Sequence, residues 1–499
     1  MIALSLAEIA EIVGGELHDV TDDTAEVTGS VEFDSRKITR GGLFVALAGA
    51  RVDGHDFAAR AVADGATAVL AARPVGVPAV VVTPTGRPDT NAELFAHDTD
   101  GSAAAVVTAL GRLARHVTDL LSDSGLTVVG ITGSAGKTST KDFIASVLEQ
   151  QGPTVAPPGS FNNEIGHPYT ALRCEPATDF LVSELSARGI GHIAHLTQIA
   201  RPKIGVELNV GTAHLGEFGS RENIAKAKGE LVEALPDAAD GGVAILNADD
   251  RLVAGMAQRT AARVVAYSTA TPPAPGADLY ATDIRLDDVA RASFTLHAPG
   301  EKPVPVKLRV FGEHQVSNSL AAAAVGLAVG MDLAVIATAL EGHTNASAHR
   351  MDVHTRADGV TIINDAYNAN PDSMRAGIAA LAYTTSARPE ARSFAVLGEM
   401  SELGRDSATA HRELGEELAK YHIHHLIAVG DSPACRAMAR SAGEQGITTE
   451  IAVDVHEATT LLTRQLRRDD VVLVKASNSQ GLWRVAEGLL TAGRHLRDN

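Results

Sequence analysis

Residues 126–152 read LTVVGITGSAGKTSTKDFIASVLEQQG, and this stretch decides the predicted fold class. An apolar run, a glycine-containing turn and an amphipathic stretch, in this order, predict a buried strand, a tight loop and a helix. The inward face of the helix would be formed by Phe143, Ile144, Val147 and Leu148. Gly152 would end the helix in the left-handed conformation. The segment therefore predicts a mononucleotide site on a parallel sheet.

The loop in this stretch has the composition of a phosphate site. Glycines let backbone N–H groups approach phosphate oxygens, and the helix that follows adds a favourable dipole. Lys137 is placed to reach the β- and γ-phosphates, and Thr138 to ligate Mg²⁺. Ile131 stands where the longer G-x-x-x-x-G-K-[ST] pattern has its first glycine, so a structural turn is the alternative. The predicted nucleotide-contacting residues are Gly133, Ser134, Ala135, Gly136, Lys137, Thr138 and Ser139.

The composition indicates a folded protein of several domains. At 499 residues the chain exceeds what one hydrophobic core accommodates. Its net charge of −18 provides no general footprint for nucleic acid or an anionic membrane. Cys174 and Cys435 lie far apart and indicate neither a disulfide framework nor a zinc site. Because there is no basic leader and no run of about 18 apolar residues, we expect a cytoplasmic protein that is neither exported nor membrane-spanning.

Short buried strands alternate with helical stretches, which is typical of mostly parallel sheets with both faces covered. Polar stretches at 84–101 and 342–349 separate the regions. We expect a smaller N-terminal α/β domain at 1–100, a central nucleotide-binding parallel sheet at 101–342 and a C-terminal Rossmann-like α/β domain at 343–499. The expected strands are 42–47, 79–82, 127–131, 180–184, 204–210, 243–247, 264–267, 360–364, 393–397, 426–429 and 471–474. The expected helices outside the opening segment are 4–13, ended by the Gly14-Gly15 pair, and 103–121.

Several of these strands run directly into polar residues. Ligands of open parallel sheets bind at the carboxyl ends of the strands. We therefore expect two sheets, each large enough to bind a nucleotide, to present polar side chains to a cleft. The residues concerned are Thr132, Glu184, Asn247, Asp365, Glu399 and Lys475.

A series of motifs along essentially the whole chain resembles those of the Mur ligases. They are TGSAGKTS (132–139), SFNNEIGHP (160–168), SEL (183–185), NVGTAHLGEFGS (209–220), AKAKGE (225–230), LNADD (246–250), GEHQVSNSLAAAA (312–324) and NDAYNANPDSM (364–374). The last motif, together with LGEMSELG (397–404), is similar to the MurF type of that family. FDSRKITRGGLFVALAGARVDGHDF (33–57) is similar to the uridine-nucleotide-binding domain of MurE and MurF enzymes. The DNPR segment that is usual in MurE relatives does not occur.

The resemblance implies an ATP-dependent ligase of peptidoglycan precursor synthesis. The terminal carboxylate of UDP-N-acetylmuramoyl-tripeptide would attack the γ-phosphate of ATP and form an acyl phosphate. The amine of D-alanyl-D-alanine would then displace phosphate and form the amide. We expect a monomer whose partners are these small molecules.

The metal ligands are also implied by the resemblance. Thr138 and Glu184 would hold the Mg²⁺ of ATP. His214 and a carbamate formed from CO₂ on Lys228 would hold a second Mg²⁺. A carbamate requires a neutral amine, hence a lysine whose pKa is lowered by burial. Lys226 is the competing position.

The remaining contacts carry over from the matching motifs. Asn247 and Asn318 would contact the nucleotide, and Arg350 and Asp365 would meet ATP as the third domain closes. The uridine-nucleotide contacts would be Ser35, Arg36, Asp53, Gly54 and His55, although DSR equally fits a helix cap or turn. The D-Ala-D-Ala side would be lined by Tyr367, Asn368 and Asn370, unless this Asn/Pro-rich stretch is only a turn.

The chain departs from the family pattern at two places. His314-Gln315 stands where relatives more often have HN, and VKASNSQGL (474–482) stands where many have KGSR. The second departure predicts altered recognition of the third residue of the tripeptide.

Other functions fit parts of the same pattern. A MurE-type or folylpolyglutamate-type ligase would share the phosphate loop and differ in the acceptor amine. A P-loop kinase or switch ATPase would share the loop without carboxyl activation, and a noncatalytic binding module would lack turnover altogether.

Overall fold

The computed structural model describes residues 1–49, 52–86, 95, 97–211, 215–344, 349–388, 390–401 and 403–492. Its strands in these ranges form sheets of nine, six and five strands and a two-stranded ribbon. The predicted α/β class with mostly parallel sheets is confirmed. Within the described ranges, no helix combines the length and apolar character needed to cross a bilayer.

The N-terminal region forms the five-stranded sheet. Its elements are β1 (Leu4–Ser5), α1 (Leu6–Val13), β2 (Glu16–His18), β3 (Glu26–Val27), β4 (Val31–Glu32), β5 (Gly42–Val45), α2 (Ala58–Ala63), β6 (Ala66–Ala71), β7 (Ala79–Val81) and α3 (Ser102–Asp123). The strand order in the sheet is β2-β7-β6-β5-β4. A capping box of Ser5 and Glu8 starts α1, and Gly14, with φ of 68°, ends it as predicted.

The central region carries the phosphate loop at the middle of a nine-stranded sheet. Its elements are β8 (Thr127–Thr132), α4 (Lys137–Leu148), β9 (Thr154–Val155), α5 (Gly166–Ala171), β10 (Phe180–Glu184), α6 (His192–Ile199), β11 (Ile204–Glu207), α7 (Leu215–Phe218), α8 (Arg221–Lys228), α9 (Glu230–Glu233), β12 (Val243–Asn247), α10 (Arg251–Ala254), β13 (Arg263–Ser268), β14 (Leu279–Leu286), β15 (Arg291–His297), β16 (Val304–Phe311), α11 (His314–Ala328) and α12 (Leu333–Gly342). The strand order is β16-β15-β14-β13-β12-β11-β8-β10-β9. Since β10 and β11 flank β8 on opposite sides, the carboxyl end of β8 is a topological switch point, where α/β proteins bind ligands.

The third region builds a six-stranded sheet. Its elements are β17 (Asp352–Thr355), β18 (Thr361–Asn364), α13 (Pro371–Ser386), β19 (Ser393–Leu397), α14 (Ser407–Lys420), β20 (His425–Val429), α15 (Pro433–Glu444), β21 (Thr448–Ala452), α16 (Val455–Gln465), β22 (Val471–Lys475) and α17 (Trp483–Ala492). The strand order is β17-β18-β22-β19-β20-β21, and only β17 is antiparallel to its neighbour. The carboxyl ends of β18 and β22 therefore lie side by side, which places Asp365 next to Lys475.

The central sheet is wider than the sequence predicted. Strands β14, β15 and β16 extend it at one edge, where no strand was expected between residues 267 and 360. β14 is parallel to β13, and the pairs β14–β15 and β15–β16 are antiparallel. Buried and exposed residues alternate along these three strands. The prediction relied on continuous apolar runs, which mark strands covered on both faces, and it therefore missed strands with one exposed face.

The predicted role of Gly152 was wrong. Helix α4 ends at Leu148, and Gly152 does not adopt a positive φ. The chain leaves the helix through successive turns in which the N–H groups of Gln151 and Gly152 donate to the Leu148 carbonyl. A Cβ atom at Gly152 would collide with the Asp179 carboxylate, so the glycine serves close approach of that side chain.

Candidate functional site

The phosphate loop and the third region face each other across a cavity of about 1120 Å³. The loop residues 134–139 line one side, and Arg350, Asp365, Tyr367 and Lys475 line the other. Of the six polar residues predicted to face a cleft from the ends of strands, Glu184, Asp365 and Lys475 line this cavity. The other three, Thr132, Asn247 and Glu399, are not among its lining residues.

The backbone of the loop has the shape that a phosphate site requires. Gly133 and Gly136 have φ values of 157° and 84°. Gly136 is the N-cap of α4 and provides no side chain to cap the first N–H groups of the helix. A Cβ atom at Gly136 would lie 2.8 Å from Oδ1 of Asn318, so only glycine fits beside this asparagine. The helix thus presents uncapped N–H groups, which suit an anion.

Lys137 already points back over the loop. Its Nζ donates to the Gly133 carbonyl at 2.7 Å. Burial lowers the pKa of Lys137, and the nearby Glu184 carboxylate opposes that shift. An anion in the loop would favour the charged lysine.

Asn209 is the second residue after β11, and it fixes the shape of the phosphate loop. Its side chain accepts from the N–H of Ala135 at 2.9 Å and donates to the Ala135 carbonyl at 3.0 Å. Its carbonyl accepts from the N–H of Ser134 at 3.0 Å. The N–H groups of Ser134 and Ala135 are therefore engaged, and the N–H groups from Gly136 onwards are better placed to contact a phosphate.

Glu184 and Thr138 come together as the resemblance implied. The carboxylate is buried at the end of β10 and accepts from the Thr138 hydroxyl at 2.9 Å and from Asn162 Nδ2 at 2.8 Å. Ser160 lies between Thr138 and Glu184, 2.8 Å from the Thr138 hydroxyl. A hydroxyl and a carboxylate are oxygen ligands that Mg²⁺ prefers, so this pair fits the ion.

Arg350 joins the third region to this cluster. Its Nη2 donates to Ser160 Oγ at 2.8 Å, and its guanidinium lies 4.3 Å from the centre of the Tyr367 ring. A cation is thereby held beside the proposed magnesium ligands and the phosphate loop.

Asp365 is held from both sides. Its Oδ1 accepts from the N–H of Met351 at 3.1 Å, and its Oδ2 accepts from the buried Lys475 at 2.5 Å. Lys475 also donates to the Asn368 carbonyl at 2.9 Å. The ion pair fixes Asp365 at the rim of the cavity.

Lys228 and Lys226 have different environments. Lys228 is buried at the end of α8, whereas Lys226 is exposed. Burial and the charge of Lys137 lower the pKa of Lys228 to about 7, against the attraction of Glu207. A neutral amine is therefore accessible at Lys228, as a carbamate requires.

Glu207 is a buried acid that the sequence analysis did not single out. It ends β11, is fully buried, and neither carboxylate oxygen has a hydrogen-bond partner among the described residues. Burial raises its pKa, and the charge of Lys228 opposes that shift. Burial therefore disfavours the charged form of this carboxyl group, and Lys228 is the charge that counters the effect.

Of the two residues expected to hold a second metal ion, the structure describes Lys228. His214 lies outside the described residues. In the described part of the chain, no group of three or more His, Cys, Asp or Glu side chains is placed to hold a metal ion. Among the implied ligands, Thr138 and Glu184 share a hydrogen bond, and Lys228 is buried near Glu207.

The two predicted nucleotide asparagines differ in position. Asn318 lines the cavity beside Gly136, and its Nδ2 donates to Gln315 Oε1 at 2.8 Å. Asn247 is not among the residues that line the cavity, and its side chain bonds the Leu208 carbonyl at 2.9 Å and the N–H of Asp249 at 3.0 Å. A nucleotide contact of Asn247 stays a prediction.

Residues of the YNANP stretch also line the cavity, and two of them have local bonds. Asn370 caps α13 by accepting from the N–H of Ser373 at 2.8 Å. Asn368 Oδ1 accepts from the N–H of Ala369 at 2.9 Å, while Tyr367 lies under Arg350. These contacts are compatible both with a plain turn and with a role of this stretch in substrate binding.

The residues predicted to contact the uridine nucleotide lie apart from this cavity. Ser35 and Arg36 start a short 3₁₀ helix capped by Asp34, which also pairs with Arg36. His55 bonds Asp53 through Nδ1 at 2.6 Å and accepts from the N–H of Ala72 through Nε2 at 3.0 Å. Both ring nitrogens of His55 are thus engaged, which indicates a positioning role.

Asp53 and Gly54 also have structural roles, Asp53 through its hydrogen bonds and Gly54 through a close approach of the backbone. Burial raises the pKa of Asp53, but hydrogen bonds from His55 and Arg73 outweigh this and lower the pKa to about 2. A Cβ atom at Gly54 would lie 2.6 Å from the backbone nitrogen of Leu47.

Comparison with known proteins identifies the family. The chain matches three family models: "Mur ligase family, catalytic domain" over residues 28–118, "Mur ligase middle domain" over 131–326 and "Mur ligase, glutamate ligase domain" over 349–478. It is 52% identical to the UDP-N-acetylmuramoyl-tripeptide--D-alanyl-D-alanine ligase of Mycobacterium tuberculosis, with 98% of each chain covered. The chain belongs to the Mur ligase family. The predicted resemblance is confirmed.

Solved Mur ligase structures have the same architecture. MurF from Acinetobacter baumannii is 29% identical, superposes with a TM-score of 0.81, and the alignment covers 98% of this chain and 99% of that one. MurF from Thermotoga maritima in complex with ADP is 28% identical, with a TM-score of 0.73 and coverage of 94% and 99%.

We expect Asn209→Ala to weaken ATP binding by roughly tenfold, since the loop would lose hydrogen bonds worth about 1 kcal/mol each and would have to be ordered by the nucleotide. Calorimetric titration with ATP and Mg²⁺ checks this. Binding of the uridine nucleotide should stay unchanged, because its predicted contacts lie elsewhere. An Asn209→Ala protein with the ATP affinity of the wild type would contradict the role of this residue.

Proposed function

We propose that this Mur ligase joins D-alanyl-D-alanine to the terminal carboxylate of UDP-N-acetylmuramoyl-tripeptide, with conversion of ATP to ADP and phosphate, during synthesis of peptidoglycan precursors. Its full-length similarity to relatives that carry this ligase name supports the substrates. The observation that carries the proposal is the cavity in which an uncapped helix N-terminus faces Arg350, Asp365 and Tyr367. We place the reaction in the cytoplasm.

The first step places two anions in contact, so its main barrier is electrostatic. The substrate carboxylate must approach the γ-phosphate of ATP, and cations that neutralise both groups lower that barrier. Lys137 at the loop and Arg350 from the third region would supply positive charge from two sides. The N–H groups at the start of α4 would orient the phosphates.

In this step a carboxylate oxygen bonds to the γ-phosphorus and the bond from that phosphorus to the bridging oxygen of ADP breaks. An acyl phosphate results. The neutral amine of D-alanyl-D-alanine then attacks the acyl carbon, phosphate leaves with one oxygen of the former carboxylate, and the amine nitrogen gives up one proton to the departing phosphate. Tyr367, Asn368 and Asn370 would face the incoming dipeptide, and Asp365 would contact the nucleotide.

Magnesium would be held by Thr138 and Glu184, and it would neutralise charge on the phosphates when bound. Glu184 is buried and its present donors are neutral side chains, so an added cation there is electrostatically favourable. His214 and a carbamate on Lys228 are proposed for a second ion. The carbamate would convert a cationic side chain into an anionic oxygen ligand.

The three proposed domains have separate tasks. Residues 1–100 would bind the uridine nucleotide through Ser35, Arg36, Asp53, Gly54 and His55. Residues 101–342 would bind ATP, with Ser134, Ala135, Ser139, Asn247 and Asn318 near its phosphates and base. Residues 343–499 would close on ATP and bind the dipeptide, and we propose that the chain acts as a monomer.

We expect phosphate release only when ATP, Mg²⁺, the UDP-muramoyl-tripeptide and D-alanyl-D-alanine are all present. Lys137→Ala should abolish turnover, because the γ-phosphate loses its closest lysine. A coupled phosphate assay, run in parallel with tripeptides ending in diaminopimelate or in lysine, tests this and identifies the third residue. L-alanyl-L-alanine serves as the matched acceptor control. Phosphate release that is independent of the dipeptide would instead indicate an ATPase.

We expect the wild-type enzyme in carbon-13-labelled bicarbonate to show a carbamate carbon signal by NMR. The signal should be absent in Lys228→Met and retained in Lys226→Met, because only Lys228 is buried with a lowered pKa. The same spectrum in all three proteins would exclude the carbamate at Lys228.

A further inference from the structure

Arg350 lies between two residues with strained backbones. His349 has φ of 61° and Met351 has φ of 49°, so both adopt the left-handed conformation. Residues other than glycine rarely adopt it, and such residues cluster where the surrounding structure enforces them for function. Residues 349–351 are called the arginine segment below. Its shape must be imposed by contacts with other parts of the third region.

Three contacts hold the His349 end of the arginine segment. The His349 ring stacks on Trp483, with ring centres 5.0 Å apart and planes inclined by 18°. Its Nδ1 lies 3.0 Å from Nδ2 of Asn364, at the end of β18. Its carbonyl accepts from the N–H of Tyr367 at 3.2 Å. The ring stack and the two hydrogen bonds therefore stabilise the left-handed backbone conformation of His349.

The Met351 end is held by the ion-paired Asp365, which accepts from the N–H of Met351. Between the two ends, Arg350 reaches Ser160 in the central region. The position of the guanidinium thus depends on a segment that is anchored in the third region at both of its ends.

Trp483 is the sole tryptophan of the chain. It opens helix α17 and is partly buried, with Arg484 lying 4.9 Å over its ring. It packs against the core that Phe394, Val472 and Val485 help to form. The ring therefore offers His349 a surface that is fixed by the third sheet. Trp483 itself does not line the cavity.

We propose that Trp483 and His349 are positioning residues, whose stacked rings hold the arginine segment so that Arg350 reaches the phosphates of ATP. The inference rests on the proposed function, because it assigns Arg350 a contact with ATP. Removal of either ring should let the strained backbone relax and displace the guanidinium. Displacement of a group that acts in the transition state lowers kcat more than it raises KM.

The test compares Trp483→Ala, Trp483→Phe and His349→Asn. Asparagine tolerates the left-handed conformation and retains a hydrogen-bonding side chain, so His349→Asn removes the ring with little effect on folding. We expect Trp483→Ala and His349→Asn to lower kcat on the order of 10- to 100-fold with little change in KM for the UDP-tripeptide. Trp483→Phe retains an aromatic surface and should keep most of the activity. The emission of Trp483 should change in His349→Asn, because its stacking partner is gone.

A double-mutant comparison separates positioning from general stability. In an Arg350→Lys background, His349→Asn should cause little further loss of kcat, since the arginine that it positions is absent. Equal kcat in the wild type, Trp483→Ala and His349→Asn would overturn the inference. So would a loss from His349→Asn that is equally large with and without Arg350. Failure of the proposed function is distinguishable, because the wild-type protein would then form no ligation product.

Discussion

The hydrogen bond from Arg350 to Ser160 is the interaction on which the proposed site depends. It joins a side chain of the third region to a cluster in which Thr138, Ser160 and Glu184 share hydrogen bonds. Without it, the guanidinium of Arg350 would not be held beside the phosphate loop. With it, positive charge lies on two sides of the space where the terminal phosphate of ATP would lie. A reaction between two anions needs that arrangement.

The fold makes this arrangement possible because each sheet delivers its polar residues at one edge. Thr132, Glu184 and Glu207 end adjacent strands of the central sheet, and Asp365 and Lys475 lie at adjacent strand ends of the third sheet. The interiors of these strands are buried on both faces, so charged residues occur at their ends. The buried charges are accommodated by partners, as with Lys475 and Asp365, or by a shifted pKa, as with Lys228 and Glu207.

Much of the fold could be predicted from the sequence, because parallel strands with two buried faces leave continuous apolar runs. The strands at 180–184, 243–247 and 393–397 have the predicted bounds. The β14–β16 extension has one exposed face and lacks that signal. The boundaries near residues 100 and 342 stay predictions.

The sequence motifs predict which residues belong to the site, but they do not predict the contacts of these residues. Burial of Lys228 and exposure of Lys226 could not be distinguished in AKAKGE, because the orientation of α8 decides it. Likewise, the structure shows the hydrogen-bond partners of two further predicted site residues. Asn370 caps a helix, and His55 accepts from the N–H of Ala72. Asn209 and Ser160 stand inside the quoted motifs, and a search for amide and hydroxyl side chains beside the loop would have included them.

In the proposed reaction a substrate carboxylate, and not water, attacks the γ-phosphate of ATP between Lys137 and Arg350. The most direct measurement uses UDP-muramoyl-tripeptide labelled with oxygen-18 in its terminal carboxylate and mass spectrometry of the released phosphate. We expect one labelled oxygen in each phosphate, because the bridging oxygen of the acyl phosphate leaves with phosphorus. Phosphate that is formed together with the amide product but carries no label would contradict this account.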